Sequence, residues 1–304
     1  VPRPNAANAD EPEEAETMKF GIMFANVGPF GTPELLAEFA TKAEAAGIES
    51  LWTVEHVVVP VGYQSRYPYS PTGRMPGEES WPIPDPVLPL AFAAAVTRRI
   101  RLGTGVVILP QRHPFYVAKE IATLDVLSSG RAIFGIGVGW LEEEFRSLGI
   151  PFADRAARTH EAVRAIRSLW KEQPEPFEGE FFRWAPVHSN PKPVQKPGVP
   201  IVVGGHTEIA AKRAARYGDG FFPAGNDPKH LERLFEVMRA ECRRVGRDPA
   251  KIEISVGAGF VDLDQARRLK DIGVDRIGVA PMGFDREGLA KGLAEFADKL
   301  IGKV

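Results

Sequence analysis

Cysteine is almost absent from this sequence: Cys242 is the only one in 304 residues, which excludes an intramolecular disulfide and a cysteine-based zinc site. The corresponding expectation is a protein of the reducing cytoplasm. Cys242 falls in helical register with Leu231, Leu234, Met238 and Val245, the pattern of a small apolar residue on a buried stripe rather than of a reactive thiol. An excess of basic charge is missing too. Lys and Arg number 38 against 40 Asp and Glu, a formal net charge of −2, so there is no general positive field for a nucleic-acid backbone. No stretch approaches the uninterrupted apolar length of a membrane span. Neither a GxGxxG run, a P-loop, an HExxH nor another compact His/carboxylate pattern occurs, and no metal site is expected.

With 44% hydrophobic and 26% charged residues, the chain can build a substantial core. Residues 1–17 stand apart: five acids, one Arg and three Pro, without the basic start and apolar run of a signal peptide. They are expected to form a solvated acidic tail or leader, with Met18 as the native start and a single domain over 18–304. From Met18 onward, short β-branched runs alternate with longer segments of helical period. The runs are KFGIMF at 19–24, SLWTVE at 50–55, RLGTGVVIL at 101–109, AIFGIGVG at 132–139, IVVGG at 201–205, DGFFPA at 219–224, IEISVG at 252–257 and RIGVA at 276–280. Eight strand-helix units in this length predict an α/β fold, a (β/α)8 TIM barrel. Two segments exceed a minimal barrel. The Pro-, Gly- and aromatic-rich stretch 56–85 follows strand 2 and should hang over the C-terminal face as a lid. The stretch 174–200 between strands 4 and 5 has the alternation of a short hairpin.

Candidate chemistry clusters at predicted strand ends. In AIFGIGVG, Gly135, Gly137 and Gly139 share one face while Phe134, Ile136 and Val138 share the other, and Gly103 and Gly105 repeat the bare face on strand 3. Either a flat ligand occupies that space, or the inner layers of the barrel need small residues there. At 203–209 an apolar strand runs through Gly204 and Gly205 into a helix opening at His206 and Thr207. Free helix-start N–H groups beside side-chain-free glycines make a phosphate cradle; ordinary capping by Thr207 is the competing reading. Glu55 and His56 follow strand 2 directly, placing an imidazole, the side chain that ordinarily titrates nearest neutrality, at the barrel mouth. His113 also follows a strand, although His-Pro can simply set the entry of the next helix.

These pieces, taken in order, resemble the bacterial luciferase-like superfamily of flavin- and deazaflavin-dependent oxidoreductases. The resemblance rests on Glu55-His56, LGTGVVILPQRHP at 102–114, TLDVLSSGR at 123–131, GIGVGWLEEEF at 135–145 and VGGHTEIAAKRAARYGDGFFP at 203–223. The G-x-G-W run followed by acids is most similar to the group of probable coenzyme F420-dependent oxidoreductases. The resemblance implies a non-prolyl cis peptide at Gly105-Val106 beneath the flavin ring. It places Gly137, Val138, Gly139 and Trp140 along the cofactor, its phosphate at Gly204, Gly205, His206 and Thr207, and proton handling at His56, with Glu55 beside it. Sugar-phosphate dehydrogenases of the superfamily have Glu one residue after the G-x-G, where this chain has Trp140; Glu143 and Glu144 are the nearby substitutes.

The implied activity is hydride transfer between F420 and a small organic substrate. The alternatives are an FMN-dependent monooxygenase, fed with reduced FMN by a separate flavin reductase and using dioxygen, and a flavin-binding protein without turnover. A pocket filled by the lid favours the last. A homodimer is implied as well. F420 continues beyond its phosphate into an acidic glutamate tail, toward which Lys212, Arg213 and Arg216 are candidate contacts.

Overall fold

Eight parallel strands close on themselves in the computed structural model, which describes residues 17–304. They are β1 (Lys19–Ile22), β2 (Ser50–Thr53), β3 (Arg101–Thr104), β4 (Ala132–Gly137), β5 (Ile201–Gly204), β6 (Gly220–Phe222), β7 (Glu253–Gly259) and β8 (Arg276–Val279). Each pairs with the next, β3 meeting β4 at Leu102 and Ala132, and β8 returns to β1 with Arg276 opposite Lys19. This is the predicted (β/α)8 barrel. The acidic tail expected over residues 1–17 lies, except for Thr17, outside the described residues.

The outer layer is made by α1 (Pro33–Ala45), α2 (Leu88–Val96), α3 (Pro114–Leu127), α4 (Glu142–Ser147), α5 (Arg155–Leu169), α6 (Glu208–Tyr217), α7 (Pro228–Arg244), α8 (Leu263–Asp271) and α9 (Arg286–Leu300). Local chemistry starts several of them. Pro occupies the first turn of α1, α2, α3 and α7, where its missing N–H has no helical partner to lose. Asp262 and Gln265 form a reciprocal capping box on α8. Cys242 is buried on α7 with Leu231, Leu234 and Met238, as its register predicts, whereas Val245, expected on the same stripe, lies just past the helix end and is exposed. The TLDVLSSGR stretch has a structural use: Arg131 donates to the carbonyls of Ala94, Thr97, Ile100 and Ser128, tying the end of α2 and the entry to β3 against β4. Between β4 and β5, Phe177–Glu178 pairs antiparallel with Arg183–Trp184, the expected hairpin.

Side-chain alternation along the strands builds two cores. Phe134 and Ile136 face the helices in the large outer core, as the strand pattern predicts. Inside the barrel, Trp52, Ile133, Val202 and Phe222 pack with Met23. The indole of Trp52 explains much of the bare inner face: a Cβ on Gly103 would lie 2.7 Å from it, and one on Gly21 would lie 2.7 Å from its Nε1. A Cβ on Gly135 would collide with the Thr104 carbonyl. At these positions glycine serves barrel filling rather than a ligand.

Candidate active site

The C-terminal strand ends gather the predicted residues around one mouth. β2 ends at Thr53 and continues into Val54, Glu55 and His56, and this short run is clamped from below. The buried Asn26 amide donates to the carbonyls of Val54 (2.9 Å) and Pro84 (2.8 Å), while its oxygen accepts from Val54 N–H at 3.0 Å. Thr53 adds a hydroxyl bond to the Pro86 carbonyl at 2.7 Å. One buried amide therefore joins the strand end to the far end of the lid.

His56 Nδ1 lies 3.0 Å from Glu144 Oε2, and the His56 and Glu144 side chains are 8% and 0% exposed. The other Glu144 oxygen accepts the N–H groups of Val57 (2.7 Å) and Val58 (3.2 Å). A carboxylate only accepts, so the imidazole hydrogen sits on Nδ1 and Nε2 is left for other chemistry. Glu55 turns elsewhere. Its carboxylate accepts the Ile108 N–H and pairs with Arg112, whose guanidinium also reaches Asp85 at 3.0 Å. Burial raises the Glu55 carboxyl above its ordinary value, against the opposing pull of Arg112. The Glu55 carboxylate, expected beside His56 as a catalytic partner, thus fixes the segment that follows β3.

That segment contains the Gly105-Val106 cis peptide, which the resemblance implies, and the chain resumes as the two-residue strand Val107–Ile108. Val106 stands between two bare strand ends: a Cβ on Gly137 would lie 2.6 Å from it, and one on Gly204 2.7 Å. Gly139 has φ +81°, and a Cβ there would meet Phe145 and Ile108. Trp140 follows, facing the His56 ring edge-on at 5.6 Å between centroids.

Across the mouth, α6 begins at the predicted cradle. Thr207 does cap the helix, accepting from Ala210 N–H at 3.3 Å, so the competing capping reading describes its hydroxyl. The N–H groups of His206 and Thr207 nevertheless have no protein acceptor among the described residues, and Gly205 (φ +127°) comes so close to α6 that a Cβ would lie 2.8 Å from Ala210 Cβ. A bare backbone, unpaired donors and a helix N-terminus fit a phosphate. Burial, with His230 adding to it, lowers the His206 titration.

The stretch 57–85 covers this mouth as a lid. Tyr63 and Tyr67 meet Trp140 at 5.5 and 5.1 Å, and Tyr69 lies over His206 at 4.7 Å. Glu143 latches the lid by accepting from Gln64 N–H, Ser65 N–H and the Ser65 hydroxyl. Those bonds, the hydroxyl foremost, hold its carboxyl down at about 2. His113 caps α3 by accepting from Phe115 N–H at 3.2 Å, the helix-entry alternative. Asn26 and Arg112 were not foreseen. Glu144 was one of two substitutes, and the run of acids after Trp140 was its only signal.

Comparison with known proteins gives the family. The luciferase-like monooxygenase family matches residues 18–270. An uncharacterized protein of Mycobacterium tuberculosis strain H37Rv is 34% identical over 87% of this chain and 94% of its own. An F420-dependent glucose-6-phosphate dehydrogenase of Kineococcus radiotolerans is 33% identical over 79% of this chain and 67% of its own. Among solved structures, the monooxygenase RslO1 from Streptomyces bottropensis superposes with a TM-score of 0.72 at 28% identity, over 93% of this chain and 99% of that one. The chain belongs to the bacterial luciferase-like family of oxidoreductases.

Proposed function

We propose that this chain transfers a hydride between coenzyme F420 and a small organic substrate beneath the 57–85 lid. The observation that carries the reading is convergence at one mouth. The unpaired N–H groups at the start of α6, the glycine-bearing run Gly137–Trp140, Val106 and the His56–Glu144 pair all sit at neighbouring strand ends. When bound, the deazaflavin supplies a hydride-accepting and hydride-donating carbon. The protein's own part is to seat the phosphate at Gly204–Thr207, support the ring at Gly105-Val106 and Gly137–Trp140, and exclude water with the lid. His56 holds or gives a proton at Nε2 while Glu144 keeps its ring oriented through Nδ1. Glu55 is assigned a positioning role through Arg112 and the Ile108 N–H. The F420-dependent relative supports this cofactor, but Trp140, surrounded by His56, Tyr63 and Tyr67, makes an aromatic wall that speaks against a sugar phosphate as substrate.

Two other readings each have a supporting observation. Likeness to a monooxygenase favours reduced FMN and dioxygen, with a separate reductase. The contacts of Tyr67 and Tyr69 on Trp140 and His206 favour binding without turnover, because lid aromatics already pack on two residues assigned to the cofactor. The cradle is common to all three and is tested first. Gly205→Val should weaken F420 and FMN binding about ten-fold or more, measured by fluorescence titration of a variant with native circular dichroism. An unchanged dissociation constant would put the phosphate elsewhere.

A further inference from the structure

Outside the barrel mouth, a cavity of about 420 Å³ opens between α5 and α6, lined by His160, Ile209, Lys212, Arg213, Arg216 and Tyr217 among others. Its charge is of one sign. Lys212 and Arg213 have no carboxylate partner among the described residues, while Arg216 is fixed by a 2.6 Å bond to Glu241. Below them Tyr217 is only 6% exposed, yet its hydroxyl has no hydrogen-bond partner. A buried unpaired hydroxyl beside guanidinium groups is costly unless something accepts from it. Burial pushes this phenol up to about 12, with Arg213 and Arg216 pulling the other way, so it stays protonated and able to donate. His160 stacks on the same ring at 5.5 Å, giving the cavity an aromatic wall. The side chain of Arg155, at the start of α5, also has a buried Nε without a partner.

We propose that this groove binds an extended polyanion, carrying carboxylates or phosphates in series along α6. The groove starts beside Ile209, two residues past the Thr207 cap. At 1.5 Å per helical residue, Lys212 lies about 8 Å and Arg216 about 14 Å along the helix from the cradle. A chain leaving a phosphate at the cradle would meet Lys212 first, then Arg213 and the Tyr217 hydroxyl, then Arg216. One source of such a chain is the acidic tail of F420, and that assignment rests on the cofactor reading above. A separate polyanion is the other source, and the groove itself does not depend on that reading.

The test uses the intact protein and three probes: free γ-linked triglutamate, F420 with its glutamate tail, and the deazaflavin truncated at the phosphate. Binding is read by calorimetry for each, and by NMR shifts of the Tyr217 ring for the peptide. Triglutamate should shift the Tyr217 signals. The double variant Lys212→Gln/Arg213→Gln should abolish that shift and weaken tailed F420 about ten-fold, leaving the truncated form within two-fold. Tyr217→Phe, which removes only the hydroxyl, should weaken the tailed form by a smaller factor. If triglutamate shifts Tyr217 while neither deazaflavin binds, the groove stands as a site for a separate polyanion and the cofactor reading fails. If both deazaflavins bind equally, before and after charge removal, and triglutamate does not shift Tyr217, the groove proposal is overturned and the cofactor reading survives. If no probe binds, both are overturned.

Discussion

His56 was legible because a histidine one step past a predicted strand end has few places to go except the barrel mouth. Its partner was not. Glu144 is 88 residues later, and only closure of the β2–β3–β4 corner brings it to the imidazole, since nothing local pairs a helix-start acid with a strand-end ring. The same limit hid Arg112, whose partner Glu55 is 57 residues away. Loss of each of these residues should have a different effect. His56→Ala should lower turnover about a hundred-fold or more with little change in cofactor affinity, and added imidazole should restore part of the rate. Glu144→Gln should lower kcat about ten-fold, because the amide presents a donor toward Val57 N–H or toward the ring. Steady-state kinetics beside cofactor titration separates these outcomes; normal turnover of the His56→Ala holoenzyme would remove the proton-handling role.

At the scale of elements, strand alternation and helix starts were readable because they depend on neighbours in sequence. The glycines on the inner face were ambiguous for a physical reason. A bare strand face means space, and sequence does not say whether Trp52 or a ligand fills it. The path of the lid was equally hidden, being set by Asn26 beyond β1 and by Glu143 and Glu144 on α4, all distant from it in sequence. The Glu55–Arg112 pair is the element-scale joint most open to test. It fixes the Val107–Ile108 strand to the end of β2, and removing one member leaves the other buried without its partner. Glu55→Ala should destabilise the fold by about 3 kcal/mol, measured by urea unfolding. A loss below about 1 kcal/mol would show that Asp85 and Glu120, both near Arg112, suffice to hold it.

For the whole molecule, the eight-unit repeat gave the barrel, while the device that locks its far end is a buried charge network. Arg276, on β8, is fully buried and donates to Glu49 at 2.8 Å, to Ser255 at 3.0 Å and to Glu253, which also accepts from Lys19 at 3.2 Å. Burial alone would raise Glu49 and Glu253, but Arg276 overcomes it and holds both below the ordinary carboxylate value. Their contribution is therefore complete above about pH 4.5 and is lost as pH falls through their lower folded values. Arg276→Met should cost about 3–5 kcal/mol at pH 7 and flatten this acid slope, as urea midpoints between pH 3 and 7 would show. A variant with the native acid slope would place the acid sensitivity elsewhere. The central claim, however, concerns the opposite face of the barrel and which flavin it takes. Fluorescence titration of the purified protein at low salt with F420 and, separately, with FMN tests it most directly. Saturable F420 binding, weakened as salt rises, is expected alongside weaker, less salt-sensitive binding of FMN; tight FMN binding with no measurable F420 affinity would contradict the F420 assignment.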